Sequence, residues 1–155
     1  MRTFHNPHLA ALAALAAKHD AEMALVVPDG GEVVALNLLF NKVAGQNQVI
    51  DLYQNNWTPA ETDTDASYTP ANFPGYAAKN LIGADWTVTP GAPTQAVAPA
   101  QVWTCTGATN QNIYGYKVKQ VTSGILLFAE RLAGVPFNIA NNGDNVSVTP
   151  TFTAD

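Results

Sequence analysis

The chain has 155 residues and a mass of 16.4 kDa, one domain's worth of protein, large enough to fold around its own core without metal or disulfide staples. Its net charge of −5, with seven scattered basic residues, argues against a nucleic-acid partner, and no apolar run approaches the roughly 20 residues of a membrane-spanning helix, so neither nucleic acid nor membrane is an expected partner. Only 12% of the residues are charged, and Asn and Thr together outnumber them; such a surface loses little on being covered, because few ions need desolvating.

The first predicted element is a helix. Asn6-Pro7 supplies a cap and a pre-shaped first position, and Leu9, Leu12 and Leu15 follow at three-residue spacing in alanine, up to Lys18 or His19. That stripe is too thin to form a core alone and needs a partner surface. The same Leu9–Ala17 run resembles the apolar part of a signal peptide, but Arg2 is its only basic lead-in, so a cytosolic product is expected. Glu22 to Val27 alternates as a possible strand and ends at the turn Pro28-Asp29-Gly30-Gly31. Glu32 to Lys42 predicts a second helix, with Val33, Leu36, Leu39, Phe40 and Val43 as its apolar face. Gln48 to Gln54 predicts a strand.

Residues 55–75 form a long polar segment with three prolines and an acidic Glu61-Thr62-Asp63-Thr64-Asp65 run. A loop of that length is usually functional or covered by a partner. Short strands are expected beyond it: Tyr76–Ile82, Asp85–Thr89, then a Pro-rich link, then Gln101–Thr106, Ile113–Val121, Gly124–Leu132, Pro136–Ala140 and Asn145–Thr153. Pro150 suits an edge or terminal strand. Strands recurring every 8–12 residues or so, without helices between them, indicate a mainly β fold, an antiparallel β-sandwich or jelly roll. It carries an N-terminal helical arm and one further short helix. Residues 1–30 are the expected arm and 31–155 the sandwich domain.

Chemistry-bearing residues are sparse. Cys105, the single cysteine, excludes an internal disulfide and a cysteine-rich zinc site and is expected to be a small buried residue or an inert thiol. His5, His8 and His19 all lie in the arm; His5 and His8 have a metal-like spacing but no third ligand beside them, so a surface or interface role is expected. Glu61, Asp63 and Asp65 lack the glycine of a helix–loop–helix calcium site, and a solvated acidic loop is expected. Glu130 is expected to meet Lys117 or Lys119 across a hairpin. Trp57, Trp86, Trp103, Tyr114 and Tyr116 suit either a sugar-stacking platform or core and interface packing, of which the second is favoured. The two sequons, at Asn56 and Asn145, suit chance occurrence in an Asn/Thr-rich chain. No catalytic residue, cofactor or metal is expected, and no enzyme.

The order of motifs carries a resemblance. Leu36-Asn37-Leu38-Leu39 precedes Gln48-Val49-Ile50-Asp51-Leu52-Tyr53 and Asn56-Trp57-Thr58-Pro59. Phe73-Pro74-Gly75-Tyr76-Ala77, Asp85-Trp86-Thr87, Ile113-Tyr114-Gly115-Tyr116-Lys117-Val118 and Gly124-Ile125-Leu126-Leu127-Phe128-Ala129-Glu130-Arg131 follow, and Asn145 to Thr153 closes the series. Over roughly residues 33 to 153 this resembles a family of small β-sandwich structural proteins of tailed bacteriophages, found among capsid decoration (cement) and other minor particle proteins. The resemblance implies a virion component on the capsid surface, made in the host cytoplasm. Its implied partners are the major capsid protein or other virion proteins, and a homo-oligomer, dimer or trimer, is expected. A tail-associated or receptor- or carbohydrate-binding module is the alternative. Phe4, Leu9, Leu12, Leu15, Trp57, Phe73 and Tyr76 are the expected interface residues.

Overall fold

Short apolar segments punctuated by Pro, Gly and Asn leave most backbone donors to be satisfied between strands and not along helices. The structure is a computed structural model and describes residues 25–39, 44–91 and 93–154. It is mainly β. Among the described residues there is one α-helix, α1 (Asp29–Leu39), and there are eleven strands. These are β1 (Gln48–Tyr53), β2 (Lys79–Leu81), β3 (Thr87–Thr89), β4 (Thr94–Val97), β5 (Gln101–Thr104), β6 (Gln111–Ile113), β7 (Gly115–Gln120), β8 (Leu126–Arg131), β9 (Phe137–Ile139), β10 (Asn145–Val148) and β11 (Thr151–Ala154). All strand pairs are antiparallel. They form a sheet of order β2-β1-β7-β8, a sheet of order β11-β4-β3, and the pairs β10-β5 and β6-β9.

Several expected segments divide differently from the reading of the sequence. The segment expected as one strand from Asn145 to Thr153 breaks at Thr149-Pro150, and the Pro-rich link before Gln101 contains β4. Val97 faces Thr151 and Gln101 faces Val148, so β4–β5 and β10–β11 run as one bent ribbon. Its corner, where no proline can donate to a ladder, is held by the Ala98 amide on the Pro150 carbonyl. Ile113 likewise belongs to β6, separate from β7, because the chain changes sheets at Tyr114. The expected strand at Tyr76–Ile82 is only β2, and Asp85 lies in a 3-10 turn before β3.

Register decides what each face of the four-stranded sheet carries. Rows Ile50–Val118–Phe128 and Leu52–Tyr116–Glu130 share one face, and rows Asp51–Lys117–Ala129 and Tyr53–Gly115–Arg131 the other. The first face joins Leu81, Trp103, Ile113, Ile139, Val146 and Val148 in one buried cluster drawn from every sheet but the β11-β4-β3 one, whose Phe152 packs against it. Glu130 therefore cannot meet Lys117 or Lys119, which point the opposite way; its carboxylate accepts the Tyr116 hydroxyl instead. On the second face a β-carbon at Gly115 would collide with the Tyr53 hydroxyl and the Glu130 carbonyl, so only glycine lets the Tyr53 ring lie across the sheet there.

Pro28 precedes α1, and Asp29 and Glu32 occupy its first turn, where carboxylates favour the positive helix end. The helix crosses β8 at Gly31, where a β-carbon would collide with the Leu127 carbonyl. That close approach makes Gly31 and Val34 the buried positions and corrects the expected apolar face: Val33 and Leu36 point outward, 57% and 55% exposed. Phe40, Val43 and the Leu39 side chain lie outside the described residues. Val26 pairs with Ala129 through two backbone bonds of 2.9 and 3.0 Å, so the chain joins the free edge of β8 there.

Candidate functional site

The long polar segment lies on the second face of the four-stranded sheet, so it covers the chain's own surface. The Gln54 amide bonds the Thr69 carbonyl at 2.9 Å and the Ala71 amide bonds the Leu52 carbonyl at 2.8 Å, lashing both ends of the segment to the end of β1. Two aspartates hold its middle. Asp63 is buried, and its Oδ2 accepts from the Tyr68 hydroxyl at 2.7 Å, from Trp57 Nε1 at 2.9 Å and from the Ala60 amide at 2.9 Å. Burial alone raises its pKa, but these donors outweigh that and hold the carboxyl below the usual range. The expected solvated loop is corrected at this residue: three donors replace its water.

Asp65 faces the lysines. Lys117, with 1% of its side chain exposed, donates to Asp65 Oδ1, and Lys119 Nζ donates to Oδ2 at 2.8 Å. Lys119 also lies 3.8 Å from Asp51. Burial works against ionised Asp65, yet the bonds and charges of the two ammoniums keep its pKa depressed. A buried lysine without such a carboxylate would lose its charge or unfold its surroundings. Burial raises the hydroxyls of Tyr53, Tyr68, Tyr76 and Tyr116, and neighbouring carboxylates add to the rise, so these groups serve as neutral donors.

The expected interface residues separate. Phe73, at 2% exposure, lies in the core, and Tyr76 packs edge-on against it while its hydroxyl bonds Asp51 Oδ1 at 3.1 Å and accepts the Leu52 amide at 2.8 Å. Phe73 is thus spent inside the chain, and Tyr76 is half-buried against it. Trp57 remains 42% exposed. Arg131 braces it, donating to the Trp57 carbonyl and to Asn56 Oδ1 at 2.8 Å each while its guanidinium lies over Tyr114. Trp103 and Tyr116 are buried and Trp86 packs against the core, so these aromatics form no exposed platform. Phe4, Leu9, Leu12, Leu15 and the three histidines lie outside the described residues. Cys105 is buried, its thiol donating to the Gly107 carbonyl.

Sequence reasoning did not find the surface beside α1. A groove of about 390 Å³ opens between α1 and the sheets, lined by Val27, Val34, Leu38, Trp86, Leu127, Phe128 and Phe152 among others, and no ionisable side chain is among the described residues that line it. Within it Gln48 Oε1 and Trp86 Nε1 are buried without a hydrogen-bond partner among the described residues. The outward Val33 and Leu36 extend the apolar character over the helix. Gly30-Gly31, expected as part of a turn, lie instead in the first turn of α1 and were the available signal, since paired glycines permit a helix to approach a strand closely. Among the described residues no group of three or more His, Cys, Asp or Glu is placed to hold a metal. No protein-family model matches the chain, and no curated protein matches it. The arrangement combines a pinned loop with a largely apolar groove, which suits it to contact.

Asp65→Asn should lower stability by about 3 kcal/mol in urea unfolding, because it leaves Lys117 buried without an anion while water still reaches the outer side of Asp65. Adding Lys117→Met should restore much of that loss. If the single variant matches the parent, the ion pair is not what holds the loop. Acid should act on the same contacts. Asp63 and Asp65 have folded pKa values below the ordinary aspartate value of about 3.9. Their contribution is therefore complete above that value and is lost as pH falls through the lower folded values. Trp57 fluorescence should hold steady from about pH 7 to pH 5 and change below about pH 4; a flat profile down to about pH 2 would contradict the assignment.

Proposed function

We propose that this chain is a non-enzymatic structural protein of a tailed-phage particle that binds the assembled capsid and stabilises it as a decoration or cement protein. Its antiparallel sheets are read as a β-sandwich of the jelly-roll type, supported by the buried cluster that joins strands of the separate sheets. The observation that carries the functional reading is the apolar surface along α1: Val33 and Leu36 exposed on the helix and a groove beside it with no ionisable side chain among its described lining residues. Exposed, contiguous apolar surface on a folded chain favours a protein partner. A ligand that binds only the assembled lattice stabilises that lattice by mass action, and a surface so poor in charge costs little to cover. Phe4, Leu9, Leu12 and Leu15 would add a clasp toward neighbouring subunits. The partners in this proposal are the major capsid protein or other virion proteins, with the chain itself a homo-oligomer.

One feature favours the alternative, a tail-associated or receptor- or carbohydrate-binding module: Trp57 is exposed while its indole N–H is fixed on Asp63. A ring presented rigidly is suited to stacking on an apolar sugar face. One comparison separates the readings. Full-length protein, protein lacking residues 1–20, and Trp57→Ala are each tested for co-sedimentation with capsids and for binding to a glycan array. The cement reading expects the truncation to abolish capsid binding while the fold persists, and Trp57→Ala to have little effect on it. Full-affinity capsid binding by the truncated chain would refute the clasp, and saturable glycan binding lost in Trp57→Ala would favour the alternative.

A further inference from the structure

We propose that Asn142 is a self-modification site: its side-chain amide is lost by attack of the Gly143 backbone nitrogen, and a bond from that nitrogen to the residue following β5 delays the reaction while the chain is folded. Of the 14 asparagines only Asn142 is followed by glycine, which carries no β-carbon to crowd the attacking nitrogen. The step balances within the chain and water. The Gly143 nitrogen bonds to Asn142 Cγ, the Cγ–Nδ2 bond breaks, and ammonia leaves with the proton from the attacking nitrogen. Water then opens the cyclic imide at either carbonyl and leaves an aspartate or an isoaspartate in the chain.

The turn Asn141-Asn142-Gly143-Asp144, between β9 and β10, holds both the opportunity and the restraint. Asn142 and Gly143 are exposed, Gly143 has a φ of +93°, and among the described residues nothing lies within 4 Å of where its β-carbon would stand, so water reaches the reacting pair. The nucleophile itself is engaged, because the Gly143 amide donates to the Cys105 carbonyl at 2.8 Å. The buried Cys105 donates its own amide to the Asp144 carbonyl, also at 2.8 Å. Asp144 Oδ2 fastens the same turn by accepting the Ala140 and Asn141 amides at 2.9 and 2.8 Å. A nitrogen held this way cannot give up its proton or swing toward Asn142 Cγ without breaking its bond, so the reaction waits for local opening of the turn. Either product then sets a new carboxylate near that of Asp144, and like charges repel. An isoaspartate also lengthens the backbone between the Asn141 and Gly143 amides. The modified turn is therefore weakened at the start of β10, whose Val146 and Val148 belong to the core.

This inference stands apart from the particle reading and is tested on the purified full-length chain alone. The chain is incubated in the same buffer with and without urea, digested, and the peptide containing Asn142 is followed by mass spectrometry with fragmentation. Conversion of amide to acid is expected at Asn142 before any other asparagine in urea. In the native chain it should be at least about tenfold slower, because there it follows the open population of the turn. That comparison needs no variant. Asp144→Ala removes two fastenings of the turn and leaves Asn142 and Gly143 in place; where circular dichroism matches the parent's, its native rate should rise severalfold. Equal rates in the native and unfolded chain, earlier loss at another asparagine, or an unchanged native rate in folded Asp144→Ala would each overturn the proposal.

Discussion

Lys117 stands in the second row of a four-stranded antiparallel sheet with 1% of its side chain exposed. An ammonium ion in that position must have an anion held against it, since an unpaired buried charge costs several kcal/mol even after relaxation. Asp65 supplies the anion, and it sits in the polar segment between β1 and β2. That segment is therefore held down on the sheet. Asp63 then gathers Trp57, Ala60 and Tyr68 around itself, and Tyr68 packs edge-on over Tyr53 at 5.0 Å. Gly115 leaves the room that Tyr53 needs.

One consequence is a difference between the two sides of the chain. The face that carries Lys117 is closed by the chain's own residues and tied with charge-assisted bonds, which resist being opened. The surface beside α1 is different: the described residues lining its groove are apolar or amide side chains without a charge, and the helix is brought against β8 through Gly31 so that Val33 and Leu36 are turned outward. A partner arriving there displaces loosely held water from apolar surface and breaks no ion pair. The closed face supplies rigidity, and the open one supplies contact area.

Much of the fold was legible from the sequence because it rests on local pattern. The short apolar runs of Gln48–Tyr53 and Leu126–Arg131 and the alternation of Tyr116 and Val118 with Lys117 and Lys119 carry the β character. What escaped depends on which strands meet. Pairing Tyr116 with Glu130 puts that carboxylate on the face away from the lysines, and no spacing within one strand contains that information. The acidic run resembled a solvated loop because its partners Lys117 and Tyr68 are brought to it by tertiary folding. Two lysines on one face of a strand between core residues did hint that a nearby carboxylate was needed. The α1 face was misjudged because one of its two inward positions, Gly31, is a glycine, which carries no hydropathy signal.

A chain with a self-tied interior face and an open apolar one suits a component held among neighbours. The proposed place in a tailed-phage particle is tested most directly by imaging such a particle assembled with this chain at side-chain resolution. The account predicts the chain on the capsid surface with Val33 and Leu36 covered by a neighbouring protein; finding both residues facing solvent in the assembled particle, with contact made only through Trp57, would contradict it.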